Sequence, residues 1–347
     1  MRVLHVLNTS SYSGAENVAC QIIHMFEDEE NMDMAYCSPN GTIKESLKER
    51  NINYYPVTKL SISELKRVIK EYKPTLIHAH DMKAGFMCAL SCDNIPLISH
   101  IHNNNYDSRK LSLKSVLYFL AAKKAKHIFW VSQSSFDGYY FHKYFKNKSS
   151  VLYNVISTEQ LFDKAQKDTN DYNYDIIYLG RMTYQKHPER LIGVLEKIIR
   201  KDNKVRCALI GTGELGDKVR SLLAEKNLNN NIDFLGFNSN PYKILACSKV
   251  MIMTSRWEGT PMCALEAMAL GIPIVSTPTD GLCELIDDGK TGYISDDNEV
   301  LTDKCLSIVN DERLQKQLSD NTIKKASKLL DVTNYKRALV NGYNKRG

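Results

Sequence analysis

Apolar residues in this chain follow two alternating rhythms. RVLHVLN (2–8) is a short, nearly continuous apolar run, which predicts a buried strand. From Ala15 to Phe26 the apolar positions recur at helical spacing. MDMAYCS, INYYPV, TLIHAH, PLISHIH and HIFWVS read as further strands, with helical segments between most of them. A polar stretch without apolar periodicity, 163–174, then interrupts the pattern. It restarts with DIIYLG (175–180), a helix over HPERLIGVLEKIIRK, VRCALIG, a helix over ELGDKVRSLLAEK, and the strands NIDFLG, KVMIMTS and IPIVST. After Val300 the spacing is helical to the end. Repeated strand–helix alternation predicts parallel sheets covered by helices. The fold class expected is α/β, with two Rossmann-like doubly wound domains. Their expected bounds are 1–162 and 175–330, with 163–174 as linker and 331–347 as a C-terminal helix that could cross back to the first domain.

The length of 347 residues suits two domains, and 43% hydrophobic with 25% charged residues is a globular balance. Nine dispersed cysteines without a CxxC pair read as reduced core thiols of a cytosolic protein. The apolar part of MRVLHVLNTSS is too short for a signal peptide, and SVLYFLAA is too short to span a bilayer. The expectation is a cytoplasmic protein. Net charge is +6, but stretch 109–148 holds nine Lys or Arg against one acid, Asp137. Its LSLKSVLYFLAAKKAK segment has lysines flanking helically spaced apolar residues. A core-packed helix with a solvated lysine face explains this, and so does an anionic membrane surface. No nucleic-acid module is present, so nucleic acid is not an expected partner.

The densest candidate chemistry lies in TSRWEGTPMCALEAMALGIPIVST (254–277). A strand ends, the loop EGTPM follows, Pro261 opens a helix at its first position, and Gly271 ends it. A strand-to-helix loop of this kind presents backbone N–H groups and the positive end of a helix dipole to an anion. Glu258 lies just before that helix and Glu266 about one turn inside it. Arg181 and Lys186 flank another strand-to-helix loop, YLGRMTYQKHPERLI (178–192). Arg suits bidentate phosphate contact and Lys a point-charge contact. ALIGTGEL (208–215) adds a glycine-rich turn at Gly211, and FLGF (234–237) places Phe237 after another. Taken singly, each of these has an ordinary structural explanation as a capping Glu, a surface cation or a turn glycine.

Taken together, EGTPMCALEAMALGIPIV and GRMTYQKHPERLI closely resemble the acidic-pair and phosphate-binding segments of GT-B retaining glycosyltransferases of family 4. The resemblance spans almost the whole chain and implies two domains facing across a cleft. It implies sugar transfer from a nucleotide-sugar donor to a glycan or polyprenyl-diphosphate-linked acceptor in cell-surface polysaccharide synthesis, without a metal or other cofactor. By resemblance, Glu266 binds the donor ribose hydroxyls and Glu258 lies by the transferred sugar. The loop amides of Gly259, Thr260, Met262 and Cys263 approach sugar and phosphate, Arg181 and Lys186 bind the diphosphate, Gly211 borders the pocket, and the Phe237 backbone meets the base. Gly14 stands where the family carries a glycine-rich loop, often with two adjacent glycines; here Ser13 precedes a single one. PLISHIHNN resembles a Ser-His-x-His-Asn segment of bacterial surface-polysaccharide glycosyltransferases and implies His102 as a catalytic-site residue. Many relatives dock through a basic N-domain surface, which implies peripheral contact of 109–148 with the cytoplasmic face of the inner membrane.

Three other functions share these residues. A nucleotide-sugar epimerase would use the same donor site without an acceptor. His78-Ala-His80 and His100-Ile-His102 each put two imidazoles on one strand face, and the two strands would be neighbours in the usual doubly wound order. That convergence fits a metal hydrolase, although no carboxylate stands at firm spacing and Asp81 alone is weak; buried, hydrogen-bonded histidines explain it as well. A non-catalytic sugar-nucleotide-binding protein is the third, and the four retained charged residues argue against it.

Overall fold

The computed structural model describes residues 1–103 and 106–345. Asn104, at the end of the PLISHIHNN string, lies outside them. The chain forms two units. One is Met1–Asn154 together with the segment that starts at Val332, and the other is Val155–Asp331.

The first unit is built on β1 (Arg2–Val6), β2 (Asp33–Pro39), β3 (Tyr54–Val57), β4 (Leu76–His80), β5 (Leu97–Ile101), β6 (His127–Trp130) and β7 (Ser149–Val151). All pair in parallel, in the order β3-β2-β1-β4-β5-β6-β7. β1, β4 and β5 are interior strands and are buried almost throughout, which is why they read as apolar runs. One core packs Leu4, Val6, Ile77, Ile101 and Trp130 against Leu65, Val68 and Tyr118 from covering helices.

The second unit holds β8 (Ile176–Leu179), β9 (Cys207–Ile210), β10 (Ile232–Gly236), β11 (Val250–Met253), β12 (Ile274–Ser276) and β13 (Gly292–Ile294). Their order is β10-β9-β8-β11-β12-β13, again all parallel. The order reverses between β8 and β11, so this unit's switch point lies between the loops that follow those two strands.

One unit boundary and several elements differ from the sequence expectation, while the C-terminal helix returns to the first unit as expected. The units divide at Asn154/Val155 rather than in 163–174. The first part of that polar stretch, 163–167, belongs to the helix Thr158–Lys167, which needs only Leu161 and Ala165 as buried contacts because one narrow stripe faces its unit. The short edge strands β7 and β13 carry too few apolar residues to show a period. The helical tail is three helices, Asn298–Asn310, Glu312–Leu329 and Val332–Asn344, and the last belongs to the first unit. Its Tyr343 hydroxyl lies 2.9 Å from His78 Nδ1, and Lys126 Nζ donates to the Tyr343 carbonyl at 3.1 Å. Of the nine cysteines, Cys247 and Cys283 are exposed rather than core residues, and the remaining seven are at least partly buried.

Candidate active site

In the second unit, the carboxyl ends of β8 and β11 bring Lys186 and Glu258 together. β8 runs into a loop that closes on itself, with the Lys186 and His187 amides donating to the Thr183 carbonyl at 3.0 and 3.2 Å. His187 takes the left-handed conformation (φ 54°) and Pro188 begins the next helix. That turn carries the Lys186 side chain inward. The loop after β11 is laced to it: Gln185 Nε2 donates to the Trp257 carbonyl at 2.9 Å, the Arg256 amide to Gln185 at 2.8 Å, and the Thr254 hydroxyl to His187 at 3.2 Å. Lys186 Nζ donates to Glu258 Oε1 at 2.6 Å, with side chains 10% and 5% exposed. Ser255 Oγ donates to the same oxygen at 2.6 Å. Burial alone pushes the Lys186 ammonium down, but the adjacent Glu258 carboxylate outweighs it and holds the ammonium above its ordinary value. Arg181 projects from the same loop, exposed.

The glycines here serve close backbone approach. A Cβ on Gly211 (φ 136°) would stand 1.9 Å from the Gly180 carbonyl oxygen, and one on Gly281 would stand 1.3 Å from that of Gly259. The loops after β8 and β9 therefore touch backbone to backbone. The Met182 amide donates to Thr212 and the Leu215 amide to Met182, both at 2.9 Å.

The helix Met262–Ala269 starts one residue later than the sequence suggests, with Pro261 as its N-cap. No side chain caps it, and its first intrahelical donor is Ala264, so the Met262 and Cys263 amides point out of the first turn. Gly259 and Thr260 are buried in the loop before it. Burial raises the Cys263 thiol to about 11. Glu266, partly buried, accepts from Tyr242 Oη at 3.3 Å. Withdrawal from water raises its carboxyl to about 7, opposed by the Tyr242 hydrogen bond and by Lys164. Lys164 lies in the stretch expected to be linker, and its ammonium stands 5.8 Å from the Tyr242 ring centroid. Neither Lys164 nor Tyr242 carries a sequence signal, since each reaches Glu266 only through the fold. Phe237 follows Gly236 (φ 70°), with its ring 76% exposed.

In the first unit, Gly14 opens the helix Gly14–Met25, and a side chain there would meet nothing within 4 Å. The position therefore tolerates glycine without needing it. Glu16, buried, accepts from the Ser13 hydroxyl at 2.5 Å and from the Thr9 hydroxyl.

β4 and β5 are neighbours, as the doubly wound order requires, and His80 stands opposite His100 in register. A fifth histidine joins from β1, where His5 stands opposite His78. The RVLHV pattern contains it, but a lone His in an apolar strand gives no reason to choose it. His80 bridges two neighbours, with Nε2 3.0 Å from His5 Nδ1 and Nδ1 2.7 Å from His102 Nε2. His102, at the end of β5, keeps its Nδ1 without a protein partner, and its amide donates to Asp81 Oδ1 at 3.2 Å. Burial lowers His5 and His102 to about 3 and raises Asp81 to about 7.

Two family models match the chain, Glycosyltransferase Family 4 over residues 5–160 and Glycosyl transferases group 1 over residues 159–325. An uncharacterized glycosyltransferase of Methanocaldococcus jannaschii is 30% identical over 265 residues, covering 74% of this chain and 71% of the relative. The UDP-Gal:alpha-D-GlcNAc-diphosphoundecaprenol alpha-1,3-galactosyltransferase of Escherichia coli is 23% identical and covers 96% of each chain. Among solved structures, Anabaena HepE in complex with UDP-glucose superposes with a TM-score of 0.86 at 19% identity over the whole of both chains. A mutant of S. aureus TarM in complex with UDP, fondaparinux and alpha-GlcNAc-glycerol superposes with a TM-score of 0.81 at 13% identity over 99% of both. The chain thus has the GT-B fold and is a glycosyltransferase belonging to family 4.

Proposed function

We propose that the protein is a retaining glycosyltransferase that moves a sugar from a nucleotide-sugar donor, held by the second unit, to a glycan or polyprenyl-diphosphate-linked acceptor in cell-surface polysaccharide synthesis. The observation that carries the reading is the Lys186–Glu258 pair, buried beside the uncapped first turn of the helix that bears Glu266. Glu266 accepts the ribose hydroxyls, and the Met262 and Cys263 amides with the Thr260 loop meet the diphosphate and sugar. When the bond from the anomeric carbon to the phosphate oxygen breaks, that oxygen takes the electron pair. Lys186 and Arg181 stabilise the charge that grows there, more in the transition state than in the ground state. The acceptor hydroxyl attacks from the face the diphosphate leaves and gives its proton to the departing oxygen. Those cations supply the positive charge, so the transfer step runs without a divalent metal. His102, in the first unit, offers its unpartnered Nδ1 to the acceptor. The names of the E. coli relative and of the solved HepE and TarM complexes support a UDP-linked donor and a lipid-linked or glycan acceptor.

The basic stretch adds membrane docking to this reading. On the helix Leu113–Lys124, exposed Leu113, Val116 and Leu120 repeat at helical spacing, and exposed Leu111 precedes them. Its opposite face buries Tyr118, Ala121 and Ala122, so the helix is apolar on both sides. Lysines at 110, 114, 123 and 124 flank the outward stripe, the composition that suits an anionic bilayer. Among the described residues, no helix is long and apolar enough to cross a membrane.

Incubation with nucleotide sugars and a diphosphate-lipid acceptor, with products read by NMR, tests the reaction. A new linkage with the donor's anomeric configuration supports it. Inversion of that configuration contradicts the retaining step, and conversion of the sugar nucleotide without acceptor consumption points to the epimerase.

A further inference from the structure

The histidines of the first sheet form more than a row of core residues. His78, His80, His100 and His102 stack along one face, with ring centroids 4.3 Å apart for His100 and His102 and 5.0 Å for His80 and His102. A neutral imidazole carries one N–H and one lone pair, and leaving either buried and unpaired costs about 1–3 kcal/mol. Both ring nitrogens of His100 and Nδ1 of His102 are buried without a partner. One ring nitrogen from each of His80, His100 and His102 lies within 4.8 Å of the other two.

We propose that His80, His100 and His102 bind a divalent transition-metal ion of the zinc type. An all-imidazole donor set suits zinc, cobalt, nickel or copper and disfavours magnesium or calcium. Three histidines leave a fourth position for water, as in other three-histidine zinc sites. An ion in contact with His80 Nδ1 and His102 Nε2 replaces their 2.7 Å contact and gives His100 the partner it lacks. The shell around the trio is already in place. His80 Nε2 faces His5 Nδ1 at 3.0 Å, so ligation through Nδ1 leaves an N–H to donate to His5 and fixes the tautomer. Asp81 holds the His102 amide and with it the end of β5. A second trio, His5, His78 and His80, shares one member, and its His5 and His78 each keep one ring nitrogen paired and one unpaired, whereas in the first trio His100 has neither nitrogen paired, which favours the first. The ion ties β4 to β5 and leaves His102 Nδ1 for the contact proposed above.

Cobalt(II) titration of the full-length protein, purified in chelator and then freed of it, tests this independently of turnover. The expected result is visible d–d absorption that saturates at one equivalent and is displaced by zinc. His100→Gln is expected to weaken binding by more than about tenfold, since loss of even a ligand's hydrogen-bond partner has that effect. His102→Gln is the second variant should His100→Gln fail to fold, with circular dichroism and melting confirming the fold of each. His78→Gln is expected to bind as wild type does. Absence of saturable d–d bands in wild type overturns the proposal, and so does loss of binding in His78→Gln with retention in His100→Gln.

Discussion

Lys186 and Glu258 are 72 residues apart in sequence, yet their charged atoms meet at 2.6 Å with both side chains almost wholly buried. The Ser255 hydroxyl on the same Glu258 oxygen and the Gln185 amide, 3.4 Å from the other oxygen, satisfy the carboxylate further. Removing one partner of such a pair leaves a buried charge and costs about 3–5 kcal/mol, whereas replacing both with apolar groups is often near neutral. Lys186→Met is therefore expected to lower stability by about 3 kcal/mol, and Lys186→Met with Glu258→Leu to recover most of that loss. Urea unfolding of the double-mutant cycle measures it. A single variant within about 0.5 kcal/mol of wild type would show that the pair is open to water.

The role proposed for Glu266 implies a pH dependence of stability and of nucleotide binding. Its folded-state carboxyl titrates at about 7 against an ordinary 4.5. The free protein then holds a proton that the unfolded chain releases earlier. Its contribution to stability is complete below pH 4.5 and is lost as pH rises through 7, by up to about 1.4 kcal/mol per pH unit. Glu266→Gln is expected to flatten the stability profile of the ligand-free protein in that window. Nucleotide affinity should move oppositely, weakening as pH falls below about 7, because the ionised carboxylate is the better acceptor for ribose hydroxyls. Identical pH profiles for wild type and Glu266→Gln would contradict both statements.

The C-terminal helix is seated on the histidine face through Gly342. A Cβ there would stand 2.4 Å from the buried Phe129 ring. Gly to Ala inside a helix ordinarily gains about 1 kcal/mol. Overpacking costs about 1–3 kcal/mol and should win here. Gly342→Ala is expected to be net destabilising and Gly342→Val more so, both read by urea midpoint. A stabilised Gly342→Ala protein would mean that the helix does not pack there.

Membrane docking predicts salt-sensitive flotation with phosphatidylglycerol vesicles and none with neutral ones. Leu113, 74% exposed, and Leu120 touch little of the core, so Leu113→Glu with Leu120→Glu should abolish flotation and leave the melting temperature unchanged. Flotation of that variant equal to wild type would remove this helix from the membrane account.

The sequence shows those features that depend on near neighbours. Strands β1, β4 and β5 appear as apolar runs because both of their faces are buried, and EGTPM with its proline appears as a strand-to-helix loop. Contacts between distant residues leave no trace of that kind. Nothing in SRWEG announces that Glu258 will meet Lys186, and nothing in the polar run after 163 announces that Lys164 will lie near Glu266. That run looks like linker because a helix lying on a surface needs only Leu161 and Ala165 as anchors. His5 is unremarkable within RVLHV until pairing with β4 sets it beside His78. The two HxH strings stand out because period-two spacing puts both rings on one face, and β4–β5 pairing then unites them.

The central claim is that the second unit binds a nucleoside diphosphate through Glu266 and the loop before its helix. Calorimetric titration of UDP, GDP, ADP and dTDP into wild type and Glu266→Ala tests it most directly. The expected result is one nucleotide that binds wild type clearly better than the others. Glu266→Ala should bind it about 10- to 100-fold more weakly while remaining folded, as befits lost hydrogen bonds to a charged acceptor. Wild type that binds none of the four, or a Glu266→Ala variant that binds as wild type does, would contradict the account.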